Sequence, residues 1–220
     1  MRKLVAEGVG TFGLVFAGTG AIVINAESGG AVGHIGIGLT FGLIIMVMIY
    51  AVGHVSGAHF NPAVTLAFAV GRHFPWGMVP RYWGAQLLGA LAASLVIRGL
   101  FGDIAHLGTT LPAGSARQSL ILESVLTFLL MFVITSVATD VRAVGQAAAI
   151  AIGGTIGLEA LFAGPISGAS MNPARSLAPA LVSGAWDHQW LYVGGPALGA
   201  VAGVLVYQFV RGAVNQEVTA

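Results

Sequence analysis

Side chains able to bind or transfer anything are sparse in this chain, and the most conspicuous come in pairs. Ser-Gly-Ala-His-Phe-Asn-Pro-Ala from Ser56 to Ala63 returns as Ser-Gly-Ala-Ser-Met-Asn-Pro-Ala from Ser167 to Ala174, six identities in eight positions at an offset of 111. Upstream, Glu7, Thr11, Phe12 and Phe16 are echoed at a second common offset by Glu123, Thr127, Phe128 and Phe132. A carboxylate inside an apolar run costs roughly 3 kcal/mol unless it is paired. Two chemistries fit such acids: a proton relay, or an acceptor for backbone N–H groups that have no helical partner. The second reading is preferred, because Glu7 and Glu123 each fall a turn or two inside an apolar run, near where an interrupted segment would enter.

Enzymatic alternatives find little support in the remaining residues. His54 and His59 are five apart, so they do not share a helical face, and no third donor stands near them in sequence. With Cys 0 there are no thiolate ligands and no disulfides. The sequence carries no His-Glu-x-x-His motif, no carboxylate pair at mid-span and no serine with a plausible base. We therefore expect neither a metal, nor a cofactor, nor an enzyme. His34, His73, His106 and His188 fall at span ends or in loops, where an interfacial side chain is the default.

The elements that must hold these residues are membrane spans. Of 220 residues, 56% are hydrophobic and 8% charged, the formal net charge is +1, and the mean hydropathy is +0.89. Those values place the chain among integral membrane proteins, with no basic surface for nucleic acid. Apolar runs of about 20 residues, the length that crosses a bilayer, fall near 4–25, 34–53, 80–101, 118–138, 143–163 and 190–210. The first begins like a signal peptide but is too long and lacks a convincing cleavage site, so it reads as a retained span. Shorter pieces, 61–71 and 172–183, each begin with Asn-Pro. Asparagine is a strong N-cap and proline is favoured at the first helical position, so both pieces read as half-helices that start inside the membrane.

Each repeat holds three spans, an odd number, so the second copy lies upside down relative to the first. The expected architecture is all-α, with six transmembrane helices plus two re-entrant half-helices in one channel domain, residues 1–220. Repeat one covers about 1–101 and repeat two about 116–212. Placing the N-terminus in the cytoplasm puts Arg2, Lys3, Arg72, Arg81, Arg142 and Arg211 inside, and Arg98, Arg117 and Arg175 outside, in accord with the positive-inside rule. Inverted repeats with broken helices are a recurrent plan of membrane transport proteins.

Asn61-Pro62-Ala63 and Asn172-Pro173-Ala174, with Arg175 after the second, in an inverted six-span duplication, resemble the aquaporin (major intrinsic protein) family. The stretch from Leu161 to Val182 is most similar to its nodulin-like branch, and that from Tyr50 to Arg72 suits most water-channel branches. The resemblance covers essentially the whole chain. It implies that Asn61 and Asn172 cap their helices and offer N–H donors to a passing solute, with Pro62, Ala63, Pro173 and Ala174 opening the two half-helices. It also implies that extended segments, Gly57-Ala58-His59 and Gly168-Ala169-Ser170, expose a ladder of carbonyls, and that His59 lines the cytoplasmic half of the pore while His54 packs at the loop entrance. Facing half-helix N-termini place about half a positive charge each at the midplane, which repels cations, an arrangement already described for aquaporins. Glu7 and Glu123 then anchor the two loops.

The family's outer constriction, counted from these motifs, falls on Phe41, Ala160, Ala169 and Arg175. Water-specific members usually carry histidine where this chain has Ala160, so the filter is expected to admit more than water. Glycerol-type members carry Asp and a basic residue where Ser176 and Ala180 stand, and they have long insertions absent here. The implied function is a passive channel for water and small uncharged solutes such as glycerol, urea or metalloid acids, excluding ions and protons. A water-selective channel and a secondary transporter are the alternatives. Glu159, beside Ala160, is expected to turn away from the axis toward loop backbone or a neighbouring subunit, the other reading being a carboxylate in the outer vestibule. The Gly38/Gly42, Gly153/Gly157 and Gly195/Gly199 pairs allow close helix approach, within or between subunits. The resemblance further implies a homotetramer in the plasma (cell inner) membrane, multi-pass, with both termini cytoplasmic and lipid around it.

Overall fold

A computed structural model describes residues 1–140 and 147–212. Eight α-helices appear among them: α1 Arg2–Glu27, α2 Gly33–Ser56, α3 Pro62–Val70, α4 Val79–Phe101, α5 Ala116–Thr139, α6 Ala148–Ser167, α7 Pro173–Ser183 and α8 Leu191–Arg211. Six of these segments are long and apolar enough to span a bilayer, and α3 and α7, of 9 and 11 residues, are too short. The expected start of the fifth span, near 143, and Arg142 lie outside the described residues; α6 begins at Ala148. No strand occurs among the described residues.

Glycine decides which helices pair. A Cβ at Gly42 on α2 would stand 2.6 Å from the Gly153 carbonyl oxygen and 3.0 Å from the Gly157 Cα on α6. At Gly203 on α8 a Cβ would lie 2.5 Å from the Phe128 carbonyl oxygen of α5, and at Gly199 it would overlap the Ser124 carbonyl. Small residues therefore let α2 pack on α6 and α5 pack on α8 backbone to backbone, which assigns these glycine pairs to contacts inside the subunit. Leu88, Ile121, Leu158, Leu198 and Phe209 are exposed on the outer surface, as lipid-facing residues must be.

The charged ends are tied separately. At the end of α5, Asp140 Oδ2 accepts the Tyr207 hydroxyl at 3.0 Å and lies 3.3 Å from Arg211 Nε, joining α5 to α8. Gln208 donates to the Gly71 carbonyl at 2.7 Å, which holds the end of α3 against α8. Burial, and then the charge of Arg211, hold the His73 imidazole below its ordinary range, so it stands neutral beside Gln208.

Candidate functional site

The two Asn-Pro-Ala segments form the half-helix starts that their residue types predict. Asn61 is the extended N-cap of α3 and accepts from the Ala63 N–H at 2.8 Å. Asn172 caps α7 likewise, accepting from the Ala174 and Arg175 N–H groups at 3.0 and 3.4 Å. Pro62 and Pro173 occupy the first helical position. The two caps also cross: Asn61 Nδ2 donates to the Met171 carbonyl at 2.7 Å, and Asn172 Nδ2 donates to the Phe60 carbonyl at 2.9 Å. A side-chain amide has two N–H bonds. One on each asparagine therefore clamps the opposite loop, leaving a single N–H for the cavity that both residues line.

Glu7 and Glu123 hold the loops, and they do so by the same geometry. Glu7 accepts from Ser56 Oγ at 2.7 Å, His59 N at 3.0 Å, Phe60 N at 2.8 Å and Gln86 Nε2 at 2.8 Å. Glu123 accepts from Ser167 Oγ at 2.7 Å, Ser170 N at 2.8 Å and Met171 N at 2.8 Å. Both carboxylates are fully buried, where donors must replace water. Gln86, which also donates to Thr65 at 3.0 Å, has no counterpart in the second repeat, where Pro196 stands at the matching offset. Tyr82 and Tyr192 complete the frame by donating at 2.7 Å to the Ser56 and Ser167 carbonyls, the last of α2 and α6.

The segments between helix and half-helix are not extended, in contrast to the sequence expectation. Gly57, Ala58 and Phe60 have φ of 91°, 51° and 49°, and Gly168, Ala169 and Met171 have 86°, 41° and 54°. Turning the N–H groups of adjacent residues toward one carboxylate requires these left-handed steps. The same twist frees the carbonyls of Gly57, Ala58 and His59, and of Gly168, Ala169 and Ser170, which accept no hydrogen bond among the described residues. His59 lines the cavity while its ring lies 4.8 Å from those of Phe68 and Phe74, with Nδ1 3.0 Å from Thr65 Oγ1. At the equivalent place Ser170 pairs with Ser176, which Thr110 also contacts at 2.7 Å. His54 is exposed at the end of α2.

Two cavities meet at the expected constriction. One, of about 260 Å³, runs from Ala148 and Ala138 past His59, Asn61 and Asn172 to Ala169. The other, of about 460 Å³, reaches from Asn25 and His34 down to Ala160. Phe41 and Arg175 line both. The Arg175 Cζ lies 5.0 Å from the centre of the Phe41 ring, a cation–π spacing. Arg175 is 2% exposed, and its Nη1 donates to the Gly108 carbonyl at 2.7 Å. Gly108 has φ +72, and a Cβ there would meet Thr19 Cβ at 2.8 Å, so glycine lets this loop come down onto α1 and present its carbonyl.

Glu159 turns away from the axis, as expected, but meets neither of the neighbours expected there: it is 1% exposed, lines neither cavity, and neither carboxyl oxygen has a hydrogen-bond partner within the described protein. Along α6, Ile152, Glu159 and Ala163 form a buried stripe beside the one that carries Ala160. A Glu159→Leu channel is accordingly expected to be more stable by about 1–3 kcal/mol, with its ratio of solute to water permeability unchanged. Thermal unfolding in detergent and stopped-flow flux check this, and a changed ratio would place the carboxyl at the pore wall after all.

Sequence reasoning did not find Ser56, Ser167, Tyr82, Tyr192 or Gly108. The serines lie inside the repeated octapeptide and the tyrosines repeat at an offset of 110, so a signal was present for those four. Gly108 acts through its backbone and leaves none.

Six spans, two half-helices meeting cap to cap, and a cavity running along both loops define a membrane pore built from an inverted repeat. The family model for major intrinsic proteins matches residues 1–207, and the chain belongs to that family. It is 55% identical over 212 residues to Aquaporin NIP1-1 of Oryza sativa subsp. japonica, covering 96% of this chain and 75% of the relative. It is equally identical over 212 residues, with the same coverage, to Putative aquaporin NIP4-1 of Arabidopsis thaliana. Among solved structures, the X-ray structure of the aquaglyceroporin from Plasmodium falciparum is similar with a TM-score of 0.79 at 27% identity, covering 94% of this chain and 93% of the other. The chain is a channel for water and small neutral solutes and not an enzyme.

Proposed function

We propose that the chain forms a wide-filter channel, passing small hydroxylated or amide solutes beside water and excluding ions and protons. The observation that carries this is Ala160: opposite Arg175 and Phe41, the wall ends at a methyl group. Phe41, Ala160, Ala169 and Arg175 are the filter residues. Asn61, Asn172, His59, Gly57, Ala58, Gly168 and Ser170 form the central path, behind the helix starts Pro62-Ala63 and Pro173-Ala174. Glu7 and Glu123 anchor the loops. Facing half-helix N-termini repel cations, and the single remaining N–H of each asparagine orients a central water as an acceptor, which interrupts proton relay.

The unit is one channel domain, with repeats at about 1–101 and 116–212. It works as a homotetramer with lipid around it in the plasma (cell inner) membrane, both termini cytoplasmic. Support for that topology comes from Arg72 and Arg211 gathering at one end of the molecule, where Gln208 joins α8 to Gly71.

The test is stopped-flow light scattering on proteoliposomes with water, glycerol and urea gradients. Linear, low-activation-energy flux of water and of at least one solute is expected. Fast water flux with no solute flux would establish a water-selective channel, and saturable gradient-driven uptake a transporter.

A further inference from the structure

We propose that His34, seven residues ahead of Phe41 on α2, forms a docking subsite for neutral polyhydroxylated solutes in the outer vestibule. This rests on the wide-filter reading above and names the solute chemistry that the entrance favours. The subsite starts from Gly164-Pro165 in α6. Proline has no N–H, so the Leu161 carbonyl, four residues earlier, loses its helical donor. His34 of α2 takes that place: its Nε2 lies 2.6 Å from the Leu161 oxygen. A carbonyl only accepts, so Nε2 carries the hydrogen, and in that tautomer Nδ1 is an acceptor. No described residue donates to that nitrogen. Gly164 provides the room, because a Cβ there would stand 3.0 Å from His34 Cε1.

A histidine fixed this way differs from the interfacial side chain expected at a span end. It lines the outer cavity together with Asn25, Thr109, Phe41, Ala160 and Arg175. An acceptor on α2 and the guanidinium of α7 therefore line one cavity, with the Phe41 ring against the guanidinium. A molecule with two hydroxyl groups donates from one to Nδ1 and accepts at the other from Arg175. Urea also offers a donor and an acceptor, but it holds them on one rigid planar unit, whereas a polyol carries them on separate carbons that rotate independently to meet groups on two different helices. Cations are repelled by Arg175, and anions meet the Nδ1 lone pair. The favoured class is small uncharged polyols and undissociated hydroxyacids.

The test compares wild type, His34→Leu and His34→Gln in proteoliposomes, with glycerol, urea and water fluxes measured on each. One lost hydrogen bond corresponds to about a three- to tenfold change. Glycerol permeability of His34→Leu is expected to fall by about that factor, with urea and water within about twofold of wild type. His34→Gln, whose amide can donate to Leu161 and still accept, is expected to recover most of the glycerol flux. Wild-type glycerol flux that His34→Leu leaves unchanged overturns the subsite alone. Parallel loss of all three fluxes overturns it too, because His34 would then only brace α6. A wild-type channel that passes water but no glycerol overturns the subsite, and if it passes no urea either, the wide-filter reading falls with it.

Discussion

A channel in which Ala160 is replaced by histidine is expected to lose glycerol flux by at least about tenfold, some 1.4 kcal/mol of barrier, while keeping most of its water flux. Ala160 lines the outer cavity together with Phe41 and Arg175, the side chains that bound both cavities. An imidazole there projects five ring atoms into a space that now ends at a methyl group. It also adds a polar wall beside the guanidinium, which suits one water and crowds a three-carbon chain. Stopped-flow flux of both solutes on the purified variant reads the effect directly. Equal loss of water and glycerol would mean that the ring plugs the path, and unchanged glycerol flux would mean that the constriction lies elsewhere.

Glu123→Ala is expected to prevent accumulation of folded channel. The substitution strands the Ser167 hydroxyl and the Ser170 and Met171 N–H groups, all buried. Each unmet donor costs about 1–3 kcal/mol, so the sum approaches the whole stability margin of a typical domain, about 5–15 kcal/mol. Glu123→Gln keeps one acceptor oxygen but turns an NH₂ toward donors, and its melting temperature in detergent is expected to drop by about 10 °C or more. Size-exclusion profiles of fluorescent fusions check both variants. A monodisperse Glu123→Ala peak at wild-type yield would show that the second loop keeps its shape without the acid.

Most of the framework was legible because lipid makes composition and periodicity unusually informative. Span lengths, the two half-helices and their Asn-Pro starts follow from rules that act on neighbouring residues, and α3 and α7 begin where those rules put them. Glu7 and Glu123 were legible as anchors for a related reason: in a dry interior an acid demands donors, and the only unsatisfied ones lie in the interrupted segments. What escaped depends on contacts across the chain. The left-handed steps at Ala58 and Ala169 could not be read from alanine, a residue that avoids them unless neighbouring bonds compel it. The 100° step from Ala160 turns Glu159 off the axis as read, but what it meets there could not be read, because α6 packs against α2 on one side and α5 on the other and so buries that side too. The seat of His34 needed a proline on one helix to free the Leu161 carbonyl and a ring on another, 127 residues from that carbonyl.

The exchange of amide bonds between Asn61 and Met171, and between Asn172 and Phe60, spans separations of 110 and 112 residues. Neither loop can reach its final form while the other half of the protein is missing. During synthesis the first half must therefore wait in the bilayer with its cap amide and the Phe60 carbonyl unmatched, and contacts this remote in sequence form late. Assembly of the conduit becomes a single closing event in which both halves are completed together, so a chain interrupted in its second repeat yields no working half-pore but a membrane-bound fragment with exposed polar backbone, a natural target for quality control.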